Sequence, residues 1–284
     1  MNDHPAIRAL LAAAMPLALL LGSCAPMPLP STTAASPAVS ESRVTVATRD
    51  GVADALLFEP EGRGQWPAVI VWSDLAGLRP AFREIGQRLA AEGYVVLVPN
   101  IFYRTARIDG TVAPAALTPE QSRERSTAWM DAIGDEGGEA DAKAYLAFLD
   151  SLPTVDATRP AGVLAYQYGS PYAFHAAFAL PDRIRAVAAI HPMRIATARP
   201  NSPHLFVGRS RAAYYVALAG PDDAREPGDK EDLRKAFADA GLAGTVEVIG
   251  AGNGFGVSDL AAYDGTAAEA AWQRALALFG AQLR

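Results

Sequence analysis

Continuous apolar runs recur along the chain at Pro67 to Trp72, Tyr94 to Val98, Gly162 to Tyr166, Ala186 to Ile190 and Tyr214 to Ala219. A run without polar alternation suits a strand covered on both faces, as in a parallel sheet. Two earlier segments, Arg43 to Thr48 and Ala53 to Glu59, read as short strands joined at Asp50-Gly51, a hairpin signal. Between the runs the apolar spacing becomes helical. Phe82, Ile85 and Leu89 share one face, as do Tyr145, Leu149 and Leu152, then Leu233, Ala236, Phe237 and Ala240, and finally Trp272, Leu276, Phe279 and Leu283. Alternating strands and helices predict an α/β fold with a doubly wound, mostly parallel sheet and helices on both faces. The stretch Ile101 to Glu139 breaks the rhythm. It is long and mixed, holds Pro114, Pro119 and Gly137-Gly138, and reads as a connection of the lid or binding-loop kind.

A chain of 284 residues, half of them apolar, can bury one large core and suits a single domain. The N-terminus changes that picture. Arg8 precedes an apolar stretch from Ala9 to Leu21, too short for a stable span and ending in small residues, as in a signal peptide. Leu21-Gly22-Ser23-Cys24 is similar to the bacterial lipobox, which implies a leader over residues 1–23 and acylation of Cys24. Cys24 is the only cysteine, so no internal disulfide exists, and lipidation accounts for a lone thiol in an export compartment. Residues 24–42, rich in Pro, Ser, Thr and Ala, then read as a flexible tether, with the domain at residues 43–284. Ala25 stands where Asp would hold many such proteins at the inner membrane, which points to the outer membrane facing the periplasm, with the lipid anchor as the membrane contact. A formal net charge of −6 with scattered basic residues excludes an electrostatic case for nucleic acid.

The chemistry concentrates where one apolar run ends. Gly162 to Ala165 leads into Tyr166-Gln167-Tyr168-Gly169 and then a helix-like stretch, the setting of a nucleophile elbow. Such an elbow lifts one side chain above the sheet beside backbone N–H groups, and small residues two positions either side permit the turn. Ala165 and Gly169 are those small residues. At the apex, where Ser or Cys would stand, this chain has Gln167.

From about Val44 onward the chain resembles the dienelactone hydrolase family of α/β-hydrolases. The resemblance is carried by Pro67 through Pro80, by Leu89 through Pro99 with Phe102-Tyr103-Arg104, and by Gly252-Asn253-Gly254-Phe255 near the end. It implies the α/β-hydrolase fold, a nucleophile position at Gln167, the acid at Asp223 with Asp222 one register away, and the base at Asn253. It further implies an oxyanion position at the backbone N–H groups of Leu75 and Tyr168, and Arg104 as the cation meeting a substrate carboxylate. Asp74 matches a family acid position near the nucleophile. Tyr103, Tyr166, Tyr168 and Phe255 are expected around the same cavity, and His191, closing its strand, reaches the same face.

Two of the three triad positions are substituted, and they are those that attack and that carry the proton. Loss of nucleophile or base in such a triad costs roughly a millionfold in turnover. The leading expectation is therefore a binding or structural module for a small carboxylate, lactone or ester-like ligand. An active hydrolase of small esters or lactones, with Asp74 and Asp223 activating a water, is the alternative; a protein-contact module with a relic pocket is the third. Ser73 and Ser170 are the remaining hydroxyl candidates, and His175 and His204 the remaining imidazoles. No metal spacing and no Gly-rich phosphate loop occurs, so no cofactor is expected.

Overall fold

The apolar runs become neighbouring strands of one eight-stranded sheet in the order β1-β2-β4-β3-β5-β6-β7-β8. The strands are β1 Val39–Thr48, β2 Gly51–Pro60, β3 Ala68–Trp72, β4 Val95–Pro99, β5 Ala161–Tyr166, β6 Ile184–Ile190, β7 Ala213–Ala219 and β8 Gly244–Ile249. The computed structural model describes residues 37–105 and 118–284. The β1/β2 and β2/β4 pairs are antiparallel, and all other pairs are parallel. The helices are α1 Pro80–Ala91, α2 Pro119–Asp150, α3 Ser170–Ala179, α4 Gly220–Arg225, α5 Asp229–Asp239 and α6 Gly265–Gln282.

Alternate strand residues feed two cores, one on each sheet face. In β3, Ala68, Ile70 and Trp72 pack with Tyr145 and Leu149 of α2, Phe174 of α3 and Phe237 of α5. Val69 and Val71 face the other way, with Phe82 and Leu89 of α1 and Trp272 and Phe279 of α6. The chain leaves β3 toward β4 and returns to β5 on its other side, so α1 and α3 pass over opposite faces. A crevice at such a switch point, outside the carboxyl ends of the strands, is where sheets of this kind bind ligands.

Three expectations are corrected. The stretch Ile101 to Glu139 is not all connection, because α2 starts at Pro119. Thr118 accepts from the Gln121 backbone N–H while the Gln121 side chain accepts from the Thr118 N–H, a capping box with proline at the first turn. Gly138 is a contact surface rather than a breaker, since a Cβ there would lie 2.6 Å from the Tyr172 ring. Second, β1 begins at Val39, inside the expected tether. Third, β8 is a strand missed among the apolar runs because Thr245-Val246-Glu247-Val248 alternates at a half-exposed edge. The leader, Cys24 and the tether up to residue 36 lie outside the described residues. Among the described residues no helix is long and apolar enough to cross a membrane.

Candidate active site

β5 ends at Tyr166 and the chain turns through a 3-10 segment, Gln167–Gly169, into α3. Gln167 has φ +48, the left-handed backbone that places an elbow side chain above the sheet. Gly169 is required by close approach: a Cβ would sit 2.3 Å from the Ser73 carbonyl oxygen at the end of β3. That contact brings the Tyr168 turn against the turn bearing Leu75. The other described non-glycine residues with positive φ are His191 (+37) and Arg194 (+61), and both bracket the same site. Between them, the Met193 N–H donates to the Gln167 carbonyl at 3.0 Å. Left-handed backbone costs on the order of 1–2 kcal/mol per residue, so three such residues at one place mark a turn cluster over-determined by its surroundings.

Above this turn the side chains form a relay. Gln167 Nε2 donates to Asn253 Oδ1 at 2.9 Å, and Asn253 Nδ2 donates to Asp222 Oδ2 at 2.5 Å. The polarity follows from the carboxylate, which only accepts; Asn253 must turn its NH2 toward Asp222, and its oxygen then faces Gln167. Asn253 also approaches the His191 carbonyl and Met193 Sδ, each at 3.3 Å. The geometry of nucleophile, base and acid is thus occupied by amide, amide and carboxylate. Such a set orients and recognises hydrogen-bonding groups; neither carboxamide is a nucleophile or accepts a proton at neutral pH.

Asp222 takes the acid position expected of Asp223. Asp223 instead meets Lys230 Nζ at 2.9 Å, because one step along α4 turns it away from the relay. Asp74 is held by the Arg79 fork at 2.6 and 2.9 Å and by the Ala76 N–H, and Arg79 is shared with Asp259. Burial pushes the Asp74 carboxyl above its ordinary value against the pull of that fork. The two carboxylates are therefore each committed elsewhere, and the water-activating pair is not assembled. Ser73 and Ser170 are both fully buried, and their hydroxyls do not reach the site surface.

Arg104 is also displaced from its expected role. Its guanidinium is clamped by Asp50 at 2.5 Å and Asp141 at 2.8 Å, leaving its charge neutralised twice over. Tyr103 lies beneath it, its phenol bonded to Asp141 and Thr48, and burial raises its pKa. Phe255 is core, and Tyr166 points to the α1/α6 side. His191 is fully buried between the Tyr166 and Phe255 rings, so it supports the site from below rather than touching a ligand; burial lowers its pKa to about 4. His204 pairs with Ser202 at 2.9 Å.

A cation that sequence reasoning passed over stands beside the elbow. A cavity of about 60 Å³ is lined by Pro171, His175, Arg194, Arg199, Asn201 and Asp135, among others. Arg194 has Met130 Sδ as its recorded side-chain partner, at 3.1 Å, and among the described residues no carboxylate pairs with Arg194 or Arg199. Burial lowers the pKa of His175, so two guanidiniums and one carboxylate leave the lining with one positive charge. The available signal was position: Arg194 closely follows the end of β6, at the carboxyl edge of the sheet.

The family model of the dienelactone hydrolase family matches residues 53–283. A carboxymethylenebutenolidase of Rhodococcus opacus is 25% identical over 222 residues, covering 76% of this chain and 81% of its own. Two solved structures share the fold. A dienelactone hydrolase-like promiscuous phosphotriesterase from metagenomic libraries has a TM-score of 0.69 at 18% identity, covering 87% of this chain and all (100%) of its own. A dienelactone hydrolase of Anabaena variabilis has a TM-score of 0.60 at 16% identity, with the same two coverages of 87% and 100%.

Proposed function

The chain belongs to the dienelactone hydrolase family, and we propose that it keeps the family's scaffold as a binding module rather than as a covalent hydrolase. The ligand is a small carboxylate or ester-like molecule held over the elbow. The observation that carries this reading is the relay from Gln167 through Asn253 to Asp222, in which the attacking and proton-carrying positions hold carboxamides bonded to one another. Gln167 keeps its oxygen and one N–H for a ligand. Arg194 and Arg199 supply the charge for a carboxylate, in place of the neutralised Arg104. The protein is exported and anchored by lipid at Cys24, facing the periplasm.

Two measurements test the reading. A serine-hydrolase phosphonate probe should leave the wild type unlabelled, and Gln167→Cys with Asn253→His should gain ester hydrolysis beyond either single change. Labelling of the wild type overturns it. Small unsaturated and aromatic carboxylates should raise the melting temperature. Arg194→Ala should weaken such a ligand by roughly one to two orders of magnitude, the scale of a charge-assisted pair.

A further inference from the structure

Residues 43–284 contain two methionines, and the sulfurs of both stand in the elbow site. Of the five in the chain, Met1, Met15 and Met27 come earlier, which leaves Met130 in α2 and Met193 after β6. Arg194 Nη1 donates to Met130 Sδ at 3.1 Å, and Asn253 Nδ2 donates to Met193 Sδ at 3.3 Å. Each sulfur thus covers a donor of the site. Both side chains are half-buried rather than sealed in a core. Neither lines the second cavity of the molecule, of about 110 Å³, on the sheet face covered by α1 and α6.

Met130 is the one placed to change the charge of the site. It lines the cavity of about 60 Å³ together with Arg194, so an atom added to its sulfur has open space to enter. A thioether is a weak acceptor, and the contact leaves the Arg194 charge almost uncompensated. A peroxide alters that balance. The sulfur attacks one peroxide oxygen, the S–O bond forms as the O–O bond breaks, and the sulfur gives up two electrons while the peroxide is reduced to water or an alcohol. The sulfoxide oxygen carries partial negative charge and accepts strongly, so the guanidinium that donated to sulfur donates to oxygen instead. The helix also permits the change. α2 is already broken at Gly134, with φ 60 and ψ 173, so the turn carrying Met130 can shift without unpacking Gly138 from Tyr172.

We propose that Met130 is an oxidation site whose sulfoxide occupies Arg194 and closes the cationic cavity, a regulation that rests on the carboxylate reading of that cavity. Hydrogen peroxide is the oxidant and benzoate the ligand used to test it. Peptide mass mapping of the folded, peroxide-treated protein should find one added oxygen on Met130, removable by a methionine sulfoxide reductase. With no ligand present, the Arg194 guanidinium NMR signal, assigned by its loss in Arg194→Ala, should move on oxidation of the wild type and stay in place in Met130→Leu. Benzoate affinity should fall about tenfold on oxidation, the scale of one charge-assisted hydrogen bond that the ligand must displace. Met130→Leu, a volume-conserving change, should make that affinity indifferent to peroxide, while Met193→Leu should remain sensitive. No oxygen on Met130, an unmoved Arg194 signal, equal benzoate affinity before and after oxidation, or sensitivity that follows Met193 overturns the proposal. Failure of benzoate to bind the reduced protein counts instead against the carboxylate reading, and the Arg194 signal then decides the sulfoxide contact by itself.

Discussion

A carboxamide donates and accepts at once, which is why Gln167 and Asn253 can extend a hydrogen-bonded chain from Asp222 without any proton changing owner. Beneath them, His191 is fully buried and neutral, with a pKa of about 4 against 6.5 in an open chain. As pH falls, the unfolded chain takes up that proton first. Its contribution to stability is therefore complete above about pH 6.5 and is lost as pH falls toward 4, by roughly 3 kcal/mol over the window. Urea denaturation at pH 7.5 and pH 4.5 should show the loss. His191→Asn, where asparagine tolerates the left-handed backbone, should flatten part of the slope, and His175, also lowered by burial, should keep the remainder.

Among the elements, α2 begins inside the stretch expected to be a lid or binding loop, and it packs beside the elbow helix α3 and covers one core. Gly138 lets it approach the Tyr172 ring, so Gly138→Ala should destabilise by about 1–3 kcal/mol through overpacking. Gly280 in α6 meets no heavy atom within 4 Å of a built Cβ, and Gly280→Ala should instead gain roughly 0.5–1 kcal/mol. Opposite shifts in the denaturation midpoint are the check. Arg104 ties α2 to the β1/β2 hairpin through Asp141 and Asp50. Its removal strands the buried Asp141 carboxylate, so Arg104→Ala should cost about 3–5 kcal/mol in a urea titration while leaving carboxylate affinity unchanged. A loss of ligand without a loss of stability would return Arg104 to the site.

At the scale of the molecule, the switch from β3 to β4 and back to β5 places the elbow at the sheet's carboxyl edge, with one cavity on each side of the strand that carries it. The proposed anchor belongs to this scale as well, because it would decide where the domain works. If Cys24 is acylated, a fatty-acid probe labels the wild type, and Cys24→Ala should lose the label and move from the membrane to the soluble fraction. Labelling that survives the substitution excludes a lipobox ending at Leu21-Gly22-Ser23-Cys24.

Unbroken apolar runs placed five of the eight strands and the sheet's class, because two-sided burial leaves a signal that local composition records, and the Asp50-Gly51 hairpin signal placed β1 and β2. Gln167 was legible for a related reason, because an elbow needs small neighbours at fixed offsets along the chain, whereas Asn253 was legible only through the family resemblance carried by Gly252-Asn253-Gly254-Phe255. The half-exposed β8 and the polar first half of α2 left no such signal. Whether Asp222 or Asp223 meets Asn253, and whether Arg104 or Arg194 keeps a free charge, depended on contacts from residues far away in the chain. Adjacent carboxylates are alike in sequence and point apart on a helix, and an arginine's charge is available only if folding brings no carboxylate to it. Those decisions belong to the tertiary structure, since a hydrogen bond is set by distance and angle between groups whose separation in sequence places no limit on either.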